Sequence, residues 1–370
     1  MVKMNHSRII AYYISNYGFG HATRSVPIIR ELCEQPGIKV IICHSFANEF
    51  LSHSLHELTC VGKVSIRRVT NDIGYKLKPH SLSLDRDRLR IEYNRYISRL
   101  PELIQVETQF LKKNHVELVI CDIPPVPFKA AHQLSIPSIG LSNFTWYTAY
   151  AQFLTEDIRQ PFFDCYHHMD YFLALAGSRE PSWGRRGNET FGFFARTPQR
   201  ETVHRIKAVL NPDGNQTIVF FGLGMKIDVG DLASCKIWDS PNCVFIVSSN
   251  TEVDRSNIYK IPYDDTESQN YIAASDLVIS KPGWGTIAEA VSFNKPLILI
   301  TREIMQEDIN TIAYLQKRKR CELVDWKDMS EFQITDELRK KIKEQISKDR
   351  EKCSEEVVSS IVDEINLIME

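Results

Sequence analysis

Residues 8–25 read RIIAYYISNYGFGHATRS. The apolar run at 8–15 is short enough to be one buried strand, and it leads straight into Asn16-Tyr17-Gly18-Phe19-Gly20-His21. Val26, Ile29 and Leu32 then recur at the spacing of one helix face. Strand, glycine turn and helix in immediate succession form the opening unit of an α/β domain.

Working outward, KVIICHS at 39–45 is a second strand and SIRRV at 65–69 a weaker third. Residues 85–113 read as helical through Leu89, Tyr93, Ile97, Leu103 and Phe110, but Pro101 argues against one continuous helix. VELVICD at 116–122 is a clear strand, followed by a helix over Phe128–Leu134 and a strand at 136–143. The aromatic stretch 144–175 suits buried core faces, the commoner use of such residues, or an acceptor pocket. The polar segment 177–190 reads as a loop by its turn chemistry.

The pattern then repeats. QTIVFFGLG at 216–224, NCVFIVS at 242–248, DLVIS at 276–280 and KPLILIT at 295–301 are strand candidates separated by helix-length or loop segments. Two strands of the chain end in glycine turns, which argues for mainly parallel sheets. The expected fold class is therefore α/β, with two Rossmann-like domains. The division places an N-terminal domain at 1–195, a linker at 196–213 and a C-terminal domain at 214–370. Residues 332–369 read as charged and helical.

The chain has 370 residues, 43% of them apolar, enough core material for two domains. Lys plus Arg number 45 against 47 Asp plus Glu, so no long-range field draws the protein to nucleic acid. Nine cysteines are scattered without a CxxC pair, which reads as reduced, mostly buried thiols and argues against a disulfide or zinc framework. No stretch approaches the roughly 20 apolar residues of a membrane span. The expectation is a cytoplasmic protein without a signal peptide, with peripheral membrane contact and the choice of monomer or homodimer left open.

Gly18 and Gly20 let the backbone turn sharply against a ligand, and the helix that follows offers unpaired N–H groups to an anion. The full dinucleotide fingerprint is missing, because position 23 is Thr and the next strand ends in Cys43-His44. A second turn, Ser280-Lys281-Pro282-Gly283-Trp284-Gly285-Thr286, lies between an apolar strand and a helix and suits a diphosphate. Glu289, about one helical turn later, reads either as an acceptor for ribose hydroxyls or as a carboxylate favoured at a helix N-terminus. His21 sits where ligand clefts gather and can serve as a general base, or simply as a turn or cap residue. Asp122 closes another strand; it either orients that histidine or caps the Pro124-Pro125 turn.

YGFGHATRS at 17–25, together with SDLVISKPGWGTIAEAV from Ser275 and the KPLILI strand after it, resembles the MurG-like (family 28) branch of GT-B glycosyltransferases. It is closer still to that branch's bacterial relatives of unknown substrate and to the glycosyltransferase-like part of certain sugar-kinase fusions. CDIPP at 121–125 and LSNFTW at 141–146 belong to the same likeness. The resemblance implies a GT-B architecture, with two domains facing a cleft and the last helix returning to the N-terminal domain. It implies inverting transfer of a sugar from a nucleotide diphosphate sugar, UDP-linked by preference, to a hydroxyl on a small-molecule or lipid-linked acceptor, with no cofactor and no metal. His21 would be the base, supported by Asp122. Gly18, Gly20, Gly222, Gly224, Lys281, Gly283, Trp284, Gly285, Thr286, Glu289, Glu307 and Asn310 would hold the donor. The chain departs from the pattern at Glu307, where relatives carry a glutamine that contacts the donor sugar, and at Lys281-Pro282, where a typical MurG has Arg-Ala. Its shortened N-terminal glycine loop means that the peptidoglycan lipid acceptor does not carry over. A nucleotide-sugar 2-epimerase using Glu307 or Asp122, and a non-catalytic nucleotide-sugar binder, are the alternatives within the same fold.

Overall fold

The computed structural model describes residues 7–79, 83–224, 232–302, 305–344 and 353–370. Its first sheet contains β1 (Arg8–Ile14), β2 (Ile38–His44), β3 (Val64–Arg68), β4 (Leu118–Asp122), β5 (Ser138–Ser142), β6 (Tyr171–Ala174) and β7 (Gly187–Thr190). The second contains β8 (Thr217–Gly222), β9 (Cys243–Val247), β10 (Ile258–Lys260), β11 (Leu277–Ser280), β12 (Leu297–Thr301) and β13 (Glu322–Asp325). Every pairing is parallel, in the orders β3-β2-β1-β4-β5-β6-β7 and β10-β9-β8-β11-β12-β13.

The strands read from sequence fall where apolar runs predicted them, because central strands of a parallel sheet are covered on both faces. β4 and β5 are buried along their whole length, as are β9 and β11. The edge strand β7 corrects the reading of 177–190 as loop throughout: the last four of those residues pair with β6. Its sequence Gly-Asn-Glu-Thr faces mostly solvent, so no apolar pattern marks it. The expected break at Pro101 is a junction between two helices, Arg86–Ser98 and Leu100–Lys113, with the proline in the first turn of the second.

The aromatic stretch is chiefly core: Trp146, Tyr150, Phe162 and Tyr166 are all almost fully buried in one cluster beneath the first sheet. Trp146 and Tyr150 stack at 5.1 Å, and Tyr150 and Phe162 lie 6.0 Å apart. Of the expected C-terminal helical stretch, Asp336–Lys343 and Ser354–Met369 are helices, and 345–352 lies outside the described residues. Val357, Val358, Ile361, Val362 and Ile365 of the last helix share a core cluster with Val26 and Ile29 of the helix Phe19–Glu34. Ser354 Oγ also donates to the carbonyl of Ala195 at 2.9 Å.

All nine cysteines are free thiols, six of them buried. Burial pushes the Cys33 thiol up to about 11 and those of Cys43 and Cys165 to about 12, so these three stay protonated at neutral pH. Among the described residues no helix is long and apolar enough to cross a membrane, and no three His, Cys, Asp or Glu side chains gather as ligands of one metal ion would.

Candidate active site

In each sheet the strand order reverses between two central strands, β1 and β4 in the first, β8 and β11 in the second. Connections leave such a pair in opposite directions and open a crevice at the carboxyl ends of the strands. His21 follows β1 and Asp122 ends β4, so the first reversal brings together two residues that are 101 positions apart. Lys281 and the glycine turn follow β11, at the second reversal.

The first turn is built on Gly18, whose φ of +84° lies in the region that glycine occupies without steric cost. It caps the helix Phe19–Glu34 without a side-chain hydrogen bond, leaving the first N–H groups of that helix unpaired by any cap. His21 is the third residue of the helix and is 7% exposed, so it is not the cap. Its Nδ1 lies 3.1 Å from Oδ1 of Asp122. Asp122 is not a cap either: the next helix begins after Pro125, with no side-chain cap. Immediately beyond it, Ile123 has a φ of +85°, a strained conformation for a β-branched residue that costs about 1–3 kcal/mol. The Tyr166 hydroxyl donates to the Ile123 carbonyl at 2.6 Å and fixes the sharp turn that presents Asp122.

Arg24, absent from the sequence-derived set, takes the same carboxylate. Its Nε donates to Asp122 Oδ2 at 2.6 Å, its Nη2 donates to Oδ1, and its Nη1 donates to Asn143 Oδ1 at 2.7 Å. Burial works to raise the pKa of Asp122, but the Arg24 guanidinium, with His21 adding to it, holds the carboxyl below its ordinary value. A spacing of three from His21 on one helix was the signal that could have singled Arg24 out.

The two glycine turns touch across the cleft. A Cβ on Gly20 would lie 3.7 Å from the Gly285 nitrogen, and one on Gly285 would lie 3.1 Å from Thr23 Oγ1 and 3.2 Å from Gly20 Cα. This close approach, rather than unusual dihedrals, is what Gly285 provides. The helix Trp284–Ser292 starts here with Gly283 as its cap, no side-chain cap bond and no acid in its first turn. The reading of Glu289 as an N-terminal carboxylate therefore fails: it lies beyond that turn. It is buried, and Arg196 Nη2 donates to its Oε1 at 3.1 Å. Burial raises the Glu289 pKa and Arg196 partly offsets that rise. Arg196, fully withdrawn from solvent, also donates to the Thr266 carbonyl at 2.7 Å and Ser268 Oγ at 2.9 Å. Trp284 lies at the same junction, its indole donating to the Ala176 carbonyl at 2.9 Å. Thr23, Arg24, Phe194, Ala195, Arg196, Trp284, Gly285 and Glu289 enclose a small cavity between the two sheets.

A second group of charges gathers beside the ends of β11 and β12. Burial, with Arg302 nearby, lowers the Lys281 pKa to about 8. Burial, with Asp308 nearby, raises that of Glu307 to about 7. Tyr75, from the N-terminal half, donates to Glu307 Oε2 at 2.8 Å. Arg302 Nε donates to Asp308 Oδ2 at 2.7 Å, and Gln306 Nε2 donates to Asn310 Oδ1 at 3.0 Å. Gly222 closes β8 and Gly224, two residues on, has a φ of +94°. Thr286 is the third residue of the helix Trp284–Ser292. Asp72 was also missed in the sequence: it accepts from the Asn16 amide at 2.9 Å and the Trp146 indole at 2.8 Å, beside the first glycine turn.

Residues 242–365 match the model of the glycosyltransferase family 28 C-terminal domain. An L-arabinokinase from Arabidopsis thaliana is 24% identical over 307 residues, which cover 81% of this chain; the chain spans only 29% of that relative. The calicheamicin glycosyltransferase CalG4 superposes with a TM-score of 0.59 at 13% identity, covering 99% of both chains. The UDP-GlcNAc 2-epimerase of Neisseria meningitidis, solved with UDP-GlcNAc, gives 0.59 at 14% identity over 97% of this chain and 100% of its own. UGT89C1 of Arabidopsis thaliana, solved with UDP, gives 0.58 at 12% identity over 97% and 99%. The chain therefore has the GT-B architecture, two mostly parallel sheet domains flanking a cleft, with a C-terminal half similar to that of family 28 glycosyltransferases.

Proposed function

We propose that this chain is an inverting, hexosyltransferase-type glycosyltransferase. It would move a sugar from a nucleotide diphosphate sugar, UDP-linked by preference, to the hydroxyl of a small-molecule or lipid-linked acceptor. The observation that carries this reading is the His21–Asp122 contact of 3.1 Å at the first strand-order reversal, beside the Gly283–Thr286 turn at the second. The functional division follows the sequence: 1–195 on the acceptor side, 196–213 as linker, and 214–370 as the donor half.

In this mechanism the donor diphosphate lies against the unpaired N–H groups at the start of the helix Trp284–Ser292, and Lys281 adds a positive charge to the departing phosphate. Gly222 and Gly224 leave room for the nucleotide, and Glu289 accepts from ribose hydroxyls through Oε2 while Arg196 holds Oε1. Glu307 and Asn310 face the sugar. His21 engages Asp122 through Nδ1, which leaves Nε2 to take the acceptor proton as the hydroxyl attacks the anomeric carbon. One displacement inverts that carbon.

A second reading, a nucleotide-sugar 2-epimerase, draws on one specific feature: Glu307, a buried carboxyl held near pKa 7, is poised for proton transfer at a sugar carbon. Incubation with UDP-sugars alone, then with a panel of acceptors, separates the two. Transfer that requires an acceptor and collapses in His21→Ala, with donor binding retained, supports the transferase; turnover of donor alone refutes it.

A further inference from the structure

Asp122 does not serve His21 alone. Both of its oxygens accept from Arg24, Oδ2 from Nε at 2.6 Å and Oδ1 from Nη2, in the bidentate geometry that guanidinium and carboxylate favour. The same Nη2 lies 3.1 Å from His21 Nδ1. Arg24 is 4% exposed, its Nη1 is held by Asn143, and its guanidinium carbon lies 5.0 Å from the Trp284 ring centre across the cleft. The side chain thus has one available position, locked from both halves of the molecule.

Electrostatics gives that position a consequence. A buried carboxylate beside an imidazole favours the imidazolium, and a histidine already carrying its second proton at neutral pH cannot act as a base. Asp72, from the loop after β3, also acts on His21 with negative charge, although burial raises its own pKa and favours its neutral form. Tyr12 of β1 lies in the field of Asp122 and Arg24, with its hydroxyl held protonated by burial. Arg24 is the only permanent cation in this set.

We propose that Arg24 is a positioning residue for proton transfer: by sharing the Asp122 carboxylate it keeps His21 neutral, with the proton on Nδ1 and Nε2 free to accept. Asp122 still orients the ring, but its charge is largely spent on the guanidinium until a proton arrives on Nε2. The role assigned to Arg24 rests on His21 being the base, yet the protonation of His21 can be read without any turnover.

The test is a histidine side-chain NMR titration of the full chain, with His21→Gln identifying the His21 signal among the 11 histidines. Arg24→Met should raise the His21 pKa by about one pH unit or more, the usual effect of leaving an opposite charge unopposed within contact distance. Arg24→Lys, which keeps the charge but loses the fork, should move it by less than half as much. If Arg24→Met does not fold, Arg24→Gln, whose amide can still donate to Asp122 but carries no charge, decides the matter in its place. It too should raise the His21 pKa by about one unit. A His21 pKa that stays within about 0.3 units, or falls, on loss of Arg24 overturns the proposal. If the shift occurs in a protein that transfers no sugar to any acceptor, the base reading fails while control of the His21 proton by Arg24 stands.

Discussion

Glu307→Gln is the substitution with the clearest calculable effect. The glutamate is 8% exposed, accepts from the Tyr75 hydroxyl at 2.8 Å, and has a pKa lifted from the ordinary 4.5 to about 7 by burial and by Asp308. In the unfolded chain this carboxyl ionises near 4.5; in the fold it keeps its proton until about 7. Between those values the native state binds the extra proton, so stability falls as pH rises, and the loss is complete once both states are ionised. At about 1.4 kcal/mol per pH unit, the interval corresponds to roughly 3 kcal/mol. Below pH 4.5 the group contributes no such penalty. Glutamine has nearly the same shape, can accept from Tyr75, and does not ionise. Urea unfolding of wild type and Glu307→Gln at pH 4.5, 5.5, 6.5 and 8 reads this carboxyl together with its effect on Asp308 and Lys281, the charges that face it. The variant should gain on wild type by roughly 2–3 kcal/mol between the lowest and highest pH, with no gain above about pH 7.5. A difference that changes by less than about 0.5 kcal/mol over that range would refute the assignment of a buried, proton-holding carboxyl.

Two further perturbations test the donor half. Lys281→Met should weaken binding of a UDP-sugar roughly ten- to hundredfold at pH 7, a single charge-assisted contact being worth about 1.5–3 kcal/mol. Because the free lysine loses its proton near 8, wild-type affinity should fall from pH 7 to pH 9 while the variant stays flat; parallel calorimetric titrations would expose a lysine that does not face the phosphate. Arg196→Met strips Glu289 of its cation and should cost about 3–5 kcal/mol at pH 7.5, with part of that recovered at pH 5.5 as Glu289 takes up a proton. Thermal unfolding at the two pH values measures it, and a loss below about 1 kcal/mol would mean that the buried pair is not what holds Glu289.

Much of the fold is legible in the sequence because a parallel sheet covered on both faces needs unbroken apolar strands, and each central strand has one. The second glycine turn is legible for a related reason: a turn that brings backbone to within contact of another turn leaves little room for a side chain, as Gly285 does against Thr23 and Gly20. Three of the four edge strands escape such reading. β7 and β13 alternate between partly covered and exposed positions or face solvent, and β10 has three residues, so none carries the apolar run that announces a strand.

His21, Asp122 and the Ser280–Thr286 turn could be selected by residue type and position at strand ends, but not their meeting. Strand order is a property of chain tracing through space, and it alone puts β4 beside β1 and β11 beside β8. The ionic partners lie further from view. Arg24 reaches a carboxylate 98 residues away and Arg196 one 93 residues away. The spacing of three from His21 puts Arg24 on the same helix face, and no local pattern marks Arg196; each is withdrawn from water only because the packed halves of the protein surround it. The sequence by itself determined where most central strands lie and which turns are bare enough to approach a ligand. Tertiary structure decided which charges are buried together, because burial and pairing are set by neighbours distant in the chain.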